Sequence, residues 1–218
     1  MTTSHTLPER SGNGRLDATS LARVAVFAAI IAVLGLPGSF SVAGGVPITL
    51  QTLGVMITGA ILGPRLGALS LSVFMALVAL GLPLLAGGRG GIGVFLGPSA
   101  GYLFGWIIGA FVIGLIVHAG GRKRVMWRTF IAMIVGGILA IYAIGIPVQS
   151  LVTRLPIDRT IITSLVFIPG DLIKAVIATA IVTTLVKAYP RAFRRVWASK
   201  TVQNEAKQSW NASSDGSC

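Results

Sequence analysis

The chain has 218 residues, 54% of them hydrophobic and only 11% charged, with a mean hydropathy of +0.84. That balance excludes an ordinary soluble domain and describes a polytopic membrane protein. The formal charge of +12 does not indicate nucleic acid, because the basic residues flank apolar runs and no RNA- or DNA-reading motif accompanies them.

Residues 1–20 are polar, contain Pro8, Gly12 and Gly14, and read as a disordered cytoplasmic lead. Six apolar segments follow, at about Leu21–Leu36, Leu50–Leu62, Leu66–Leu82, Ser99–Ala119, Trp127–Ile146 and Leu165–Ala188. Arg10, Arg15 and Arg23 ahead of the first run could suggest a signal peptide. Hydrophobicity continues through many later runs, so the first is read as an uncleaved helix. The second segment falls short of the about 20 residues that a perpendicular helix needs. Local thinning, a capped end or a partly irregular span is expected there. Beyond Pro190, the stretch with Arg191, Phe193, Arg194, Arg195 and Trp197 is expected at the headgroup interface, followed by a disordered tail. The division is therefore a lead (1–20), a six-helix membrane domain (21–189) and a basic segment with a tail (190–218).

The loops test that count. With the N-terminus inside, the cytoplasmic stretches hold Arg10, Arg15 and Arg23, then Arg65, then Arg122, Lys123, Arg124 and Arg128. Lys187, Arg191, Arg194, Arg195, Lys200 and Lys207 complete 14 of the 18 basic residues. Arg89, Arg154 and Arg159 fall outside, and Lys174 lies within a span. This positive-inside bias predicts six spans with both termini cytoplasmic.

Small residues recur at helical spacing. Gly101, Gly105 and Gly109 read as an internal packing stripe, and Pro64 is expected to divide Gly59, Gly63 and Gly67 between two helices. In the first span, Ala25 and Ala29, with Ala28 and Ala32, suit either the core or docking to another membrane subunit.

Asp171 is the one acidic residue inside the apolar body, and Lys174 follows it by three positions. A charge in a membrane segment costs roughly 2.5–3.5 kcal/mol on insertion scales, which makes the pair a candidate functional site. Spacing of three places both side chains on one helix face. Asp171 also follows Pro169-Gly170, so a capping carboxylate with a lysine that snorkels or pairs with it is the plain structural alternative. That alternative accounts for Asp171 but not for Lys174, so ligand binding is preferred.

Two external loops, one uncharged and one charged only at Arg89, complete the candidate site. Gly87–Tyr102 holds seven glycines and Pro98, and irregular backbone of this kind is tolerated near a membrane where it lines a cavity. Arg89, Gly91 and Tyr102 are its candidate ligand contacts, with Arg89 suited to an anion. Ser39–Gln51 forms a matching lid, with Thr49 and Gln51 as hydrogen-bonding groups. Catalysis finds little support. His5 and His118 have no carboxylate or cysteine nearby in sequence, and no metalloprotease, nucleophile-elbow or paired-carboxylate motif occurs. The G-x-G-x-x-G match at Gly88–Gly93 lies between spans rather than in a βαβ unit, and there is no P-loop. No catalytic residue, metal or cofactor is expected, and ATP hydrolysis would fall to a partner.

The chain resembles the BioY family, the biotin-binding S components of energy-coupling-factor (ECF) transporters. The resemblance runs from about Ala22 to Lys187 and rests on four strings. They are Gly45-Val46-Pro47-Ile48-Thr49-Leu50-Gln51-Thr52-Leu53, Gly59-Ala60-Ile61-Leu62-Gly63-Pro64-Arg65-Leu66-Gly67, Gly97-Pro98-Ser99-Ala100-Gly101-Tyr102 and Pro169-Gly170-Asp171-Leu172-Ile173-Lys174. It implies a six-helix bundle in the inner (plasma) membrane that binds biotin near the external face, capped by the first loop. It places Asp171 and Lys174 in the biotin site. It further implies docking, through small first-helix residues matching Ala25 and Ala29, to a transmembrane coupling subunit and two ATPase subunits. A subunit for another small amphipathic metabolite is the alternative reading. A membrane enzyme would need a catalytic constellation, and a scaffold would not need an intramembrane Asp–Lys pair.

Overall fold

A bilayer offers no water to the backbone, so apolar runs satisfy their amides internally and become helices. The computed structural model describes residues 18–38, 40–41, 46–119 and 125–188. Helix α1 is Ala18–Val33, and a two-stranded antiparallel piece pairs β1 (Phe40–Ser41) with β2 (Pro47–Ile48). Then come α2 (Gln51–Ala79), a 3-10 turn at Ile92–Phe95, and α3 (Ala100–His118). Next are α4 (Val125–Ile134), a π-helical segment at Val135–Ala140, α5 (Ile141–Thr153), α6 (Ile157–Leu165) and α7 (Ile168–Ala188). Among the described residues, four helical runs are long and apolar enough to cross a membrane: Gln51–Ala79, Ala100–His118, Met126–Thr153 and Ile168–Ala188. α1 is a shorter apolar helix. It starts at Ala18, three residues inside the expected polar lead. The rest of that lead and the basic tail fall outside the described residues.

The second and third apolar segments form α2, and its interior is not continuous. Gly63 has φ 81° and ψ −178°, a conformation that favours glycine, and Pro64 then lacks an N–H. A Cβ placed on Gly67 would lie 3.2 Å from the Cα of Gly59, whereas residues eight apart in one straight helix are about 12 Å apart. α2 is therefore two arms, 51–62 and 64–79, folded back on each other. Pro64 does divide the glycine stripe. The first arm is only about 18 Å long, and the irregular backbone expected of the second span lies ahead of it, around the β1–β2 pair.

α3 sits at the centre, against α2, α4, α5 and the π-helical segment. Its glycine stripe is internal packing, as expected. A Cβ on Gly101 would lie 2.8 Å from the Ile144 carbonyl oxygen, one on Gly105 3.0 Å from that of Ile141, and one on Gly109 2.6 Å from that of Gly136. The last contact falls where the fifth span turns π-helical, a distortion that widens the helix by one residue per turn. That span continues past the expected Ile146, through Pro147, to Thr153. At the far end of α3, His118 packs over Gly63, with its Nδ1 2.9 Å from the Gly114 carbonyl oxygen.

α6 was not anticipated as an element of its own. It buries Thr160 and Ser164 while exposing Ile157, Ile161, Ile162 and Leu165. This is the reverse of a water-soluble amphipathic helix and suits an apolar surround.

Candidate ligand site

Asp171 enters the first turn of α7 behind Pro169, a residue pre-shaped for a helix start. Its own N–H already bonds the Phe167 carbonyl at 3.0 Å. Its side chain does not cap the helix. Oδ1 accepts from Lys174 Nζ at 3.0 Å, and Oδ2 accepts from the Tyr142 hydroxyl at 2.7 Å. Lys174 does not snorkel either: it is 7% exposed, and Nζ also donates to Thr52 Oγ1 at 2.9 Å. A four-residue chain, Thr52–Lys174–Asp171–Tyr142, thus ties the first arm of α2 to α7 and α5.

A buried ion pair recovers its desolvation cost only where further hydrogen bonds satisfy the remaining capacity. Thr52 and Tyr142 supply those bonds. The pair still has capacity left, because an ammonium carries three N–H donors and a carboxylate about four acceptor sites. One N–H and about two lone pairs remain for a ligand.

Beside the pair lies a cavity of about 60 Å³, walled by Val46, Ile48, Leu85, Leu103, Trp106 and Phe167, with Thr49, Ser99, Tyr102 and Arg89 adding polar groups. Such a mixture, mostly apolar with a few convergent polar groups, is the usual make-up of a small-molecule site. The Tyr102 and Tyr142 rings meet edge to face at 5.8 Å and 84°, an arrangement that the ring quadrupoles favour. The Tyr102 hydroxyl donates to Gln149 Oε1 at 2.9 Å and lies 3.0 Å from Ser164 Oγ. Tyr102 therefore presents its ring to the cavity and spends its hydroxyl on α5 and α6.

The loop residues predicted for the site divide into three groups. Thr49 and Arg89 line the cavity as expected. Arg89 sits at the end of a tight turn closed by reciprocal backbone bonds with Leu85, and Gly87 and Gly88 take positive φ within it. Its Nε donates to the Ala86 carbonyl at 3.3 Å. Burial pulls the Arg89 guanidinium below its ordinary value, yet arginine stays cationic at any physiological pH. Gln51 also lines the cavity but acts as framework. Its Nε2 donates to the carbonyls of Ile31 (3.2 Å) and Leu84 (3.0 Å), and its Oε1 accepts from Ala86 N–H at 3.1 Å. Both amide hydrogens are thus committed to holding the end of α1 and the 84–89 turn in place.

Gly91 stands back from the cavity wall. Its N–H bonds the Val78 carbonyl at 2.7 Å, and it is absent from the cavity lining. Its positive φ of 84° explains the glycine as a backbone requirement. Ala25 and Ala29 lie on the exposed face of α1, while Val24, Ala28 and Ile31 are buried. Of the two readings left open for them, the first is excluded: neither belongs to the core.

Thr52, Tyr142, Trp106, Gln149 and Ser164 were not singled out from the sequence. Thr52 stood within a quoted motif, three positions after Thr49. Tyr142 carried no local signal, since a tyrosine in an apolar run is usual and its distance from Asp171 in sequence is 29 residues.

Comparison with known proteins places the chain in a family. The BioY family profile matches residues 6–191. The biotin transporter BioY of Rhizobium etli is 42% identical over 181 residues, covering 80% of this chain and 97% of that protein. Its counterpart in Rhodobacter capsulatus is 45% identical over 178 residues, covering 78% and 94%. The probable biotin transporter BioY of Bacillus subtilis is 44% identical over 174 residues, covering 79% and 93%. A crystal structure of the S-component for biotin from an ECF-type ABC transporter superposes with a TM-score of 0.73 at 35% identity, covering 78% of this chain and 91% of that one. The match spans the helices that hold the Asp171–Lys174 pair, and this chain belongs to the BioY family.

Proposed function

We propose that this chain is the biotin-binding S component of an ECF-type vitamin uptake transporter. The observation that carries the reading is the buried Asp171–Lys174 pair, clasped by Thr52 and Tyr142 beside a mostly apolar cavity. Biotin combines a ureido group, which needs an acceptor and a donor, with a thiophane ring and an alkyl chain that need apolar walls. Asp171 accepts a ureido N–H. Lys174 donates its remaining hydrogen to the ureido oxygen or the carboxylate. Arg89 is the second cation available to the carboxylate.

The chain crosses the inner (plasma) membrane six times with both termini in the cytoplasm. The fold-back of α2 at Gly63 supports this count, because it turns one long apolar run into two arms. The positive-inside bias supports the orientation. Biotin enters from the external side, where the β1–β2 pair and the 84–89 turn cover the cavity. Uphill transport depends on a transmembrane coupling subunit and two ATPase subunits. The small exposed face of α1 at Ala25 and Ala29 supports close docking to the coupling subunit.

Titration calorimetry in detergent tests the reading. Biotin saturates the wild-type isotherm, desthiobiotin competes, and riboflavin and thiamine do not. Asp171→Asn and Lys174→Ala each weaken binding at least tenfold, the loss of about one charge-assisted hydrogen bond. Unchanged affinity in both variants would remove the site assignment. Saturation by riboflavin or thiamine instead would transfer the site to another metabolite.

A further inference from the structure

A second concavity lies at the opposite end of the bundle, between α4 and α7. It measures about 290 Å³ and is lined by Met126, Trp127, Phe130, Val176, Thr179 and Thr183. The groove begins at Val176, about 8 Å beyond Asp171 along the helix axis, but on another face of α7: Val176 and Ala180 are exposed where Asp171 and Lys174 are buried. The groove is more apolar than its sequence suggests. Thr179 Oγ1 donates to the Ala175 carbonyl and Thr183 Oγ1 to the Thr179 carbonyl, each at 2.7 Å. Both hydroxyls are satisfied within the helix, which leaves their methyl groups for the groove. Trp127 and Phe130 form one wall, edge to face at 6.5 Å and 83°.

The ends of the groove differ in charge. α4 and α7 pack together and run antiparallel, since Met126 at the start of α4 and Thr183 near the end of α7 line the same groove. Lys187, exposed and one turn beyond Thr183, lies on the same face of α7 at that end. Arg128 follows Trp127 on α4. In sequence, Arg122, Lys123 and Arg124 immediately precede Val125, adding positive charge where α4 begins. An apolar slot that opens sideways, with a tryptophan at its rim and cations at its mouth, matches a lipid with an acyl chain and an anionic headgroup.

We infer that the α4–α7 groove is a binding site for an anionic phospholipid, with one acyl chain against Trp127, Phe130 and Val176 and the phosphate near Lys187. Anionic lipid at this end holds α4 against α7 at a distance from the biotin site.

Brominated-lipid quenching of Trp127 fluorescence tests this in the full chain. The background carries Trp197→Phe and Trp210→Phe, and subtraction of the same protein with Trp127→Phe removes the Trp106 signal. Vesicles mix phosphatidylcholine and phosphatidylglycerol at equal mole fraction, with bromine on the chains of one or the other. Brominated phosphatidylglycerol is expected to quench at least twofold more than brominated phosphatidylcholine. Lys187→Glu should shrink that preference, and Ala180→Phe, at an exposed residue that also lines the groove, should reduce quenching by both lipids. Calorimetric biotin binding, unchanged in both variants, shows that they are folded. Equal quenching by the two lipids would overturn the inference, because the groove would then take any chain without reading the headgroup. Quenching by neither would also overturn it and would mean that protein covers Trp127.

Discussion

Two ends of one bundle differ in what lies between their helices. At the Asp171 end, five helices meet through polar side chains: Thr52, Lys174, Asp171 and Tyr142 in one chain, and Tyr102, Gln149 and Ser164 in another. A cavity remains between them. At the Gly63 end, helices meet through backbone. A Cβ on Gly59 would lie 2.5 Å from the Ala110 carbonyl oxygen, and one on Gly114 2.3 Å from the Pro64 nitrogen. Side chains that reach across a gap leave room for a ligand and can exchange partners with it. Backbones in contact leave no room and cannot. The contrast leaves an internal cavity at one end and backbone packing at the other, with the α4–α7 groove lying outside that packing.

The largest expected effect comes from breaking the ion pair. Asp171→Asn leaves the Lys174 ammonium buried without its counter-charge, which costs about 3–5 kcal/mol of stability. The loss should appear in thermal unfolding in detergent, along with the tenfold or greater loss of biotin affinity. A variant with normal stability and affinity would break the contrast at its polar end.

Tyr142→Phe is the sharper probe, because it keeps the ring against Tyr102 and removes one hydrogen bond to a carboxylate. Such bonds contribute about 1.5–3 kcal/mol, so biotin affinity should fall about tenfold by calorimetry. Gly59→Ala tests the other end. The neighbouring Ala110 atoms are backbone and cannot rotate away, so overpacking should lower stability by about 1–3 kcal/mol. Biotin affinity of the folded fraction should stay within about twofold of wild type, since 1.4 kcal/mol would be needed for a tenfold change. An equal loss of affinity in Gly59→Ala and Tyr142→Phe would show that the two ends are not separable. The smallest effect on affinity is expected from Gly91→Ala. With φ 84° and ψ 168°, Gly91 occupies a region essentially limited to glycine, where another residue costs about 1–3 kcal/mol, so the melting temperature should fall with affinity unchanged.

Legibility in the sequence followed the range of the interactions. The apolar runs and the exceptional Asp171–Lys174 pair are local patterns, and both were readable. Gln51 shows the limit. Its place in a motif marked it as important, but only its three long-range bonds, to Ile31, Leu84 and Ala86, reveal a framework role. α6 was missed because Asp158, Arg159 and Thr160 interrupt its apolar residues, so the segment read as part of the external loop between the fifth and sixth spans.

Composition and hydropathy alone determined that this is a membrane protein of several helices. Covalent spacing alone put Asp171 and Lys174 on one face, because 3.6 residues per turn allow nothing else. Tertiary structure decided what that face meets. Tyr142, Thr52 and Tyr102 come from three other helices, and packing geometry rather than sequence neighbourhood brings them to the pair. It also decided that α2 turns back at Gly63. A Gly-Pro step permits a reversal, but only the backbone contact of Gly67 with Gly59 makes it the stable one.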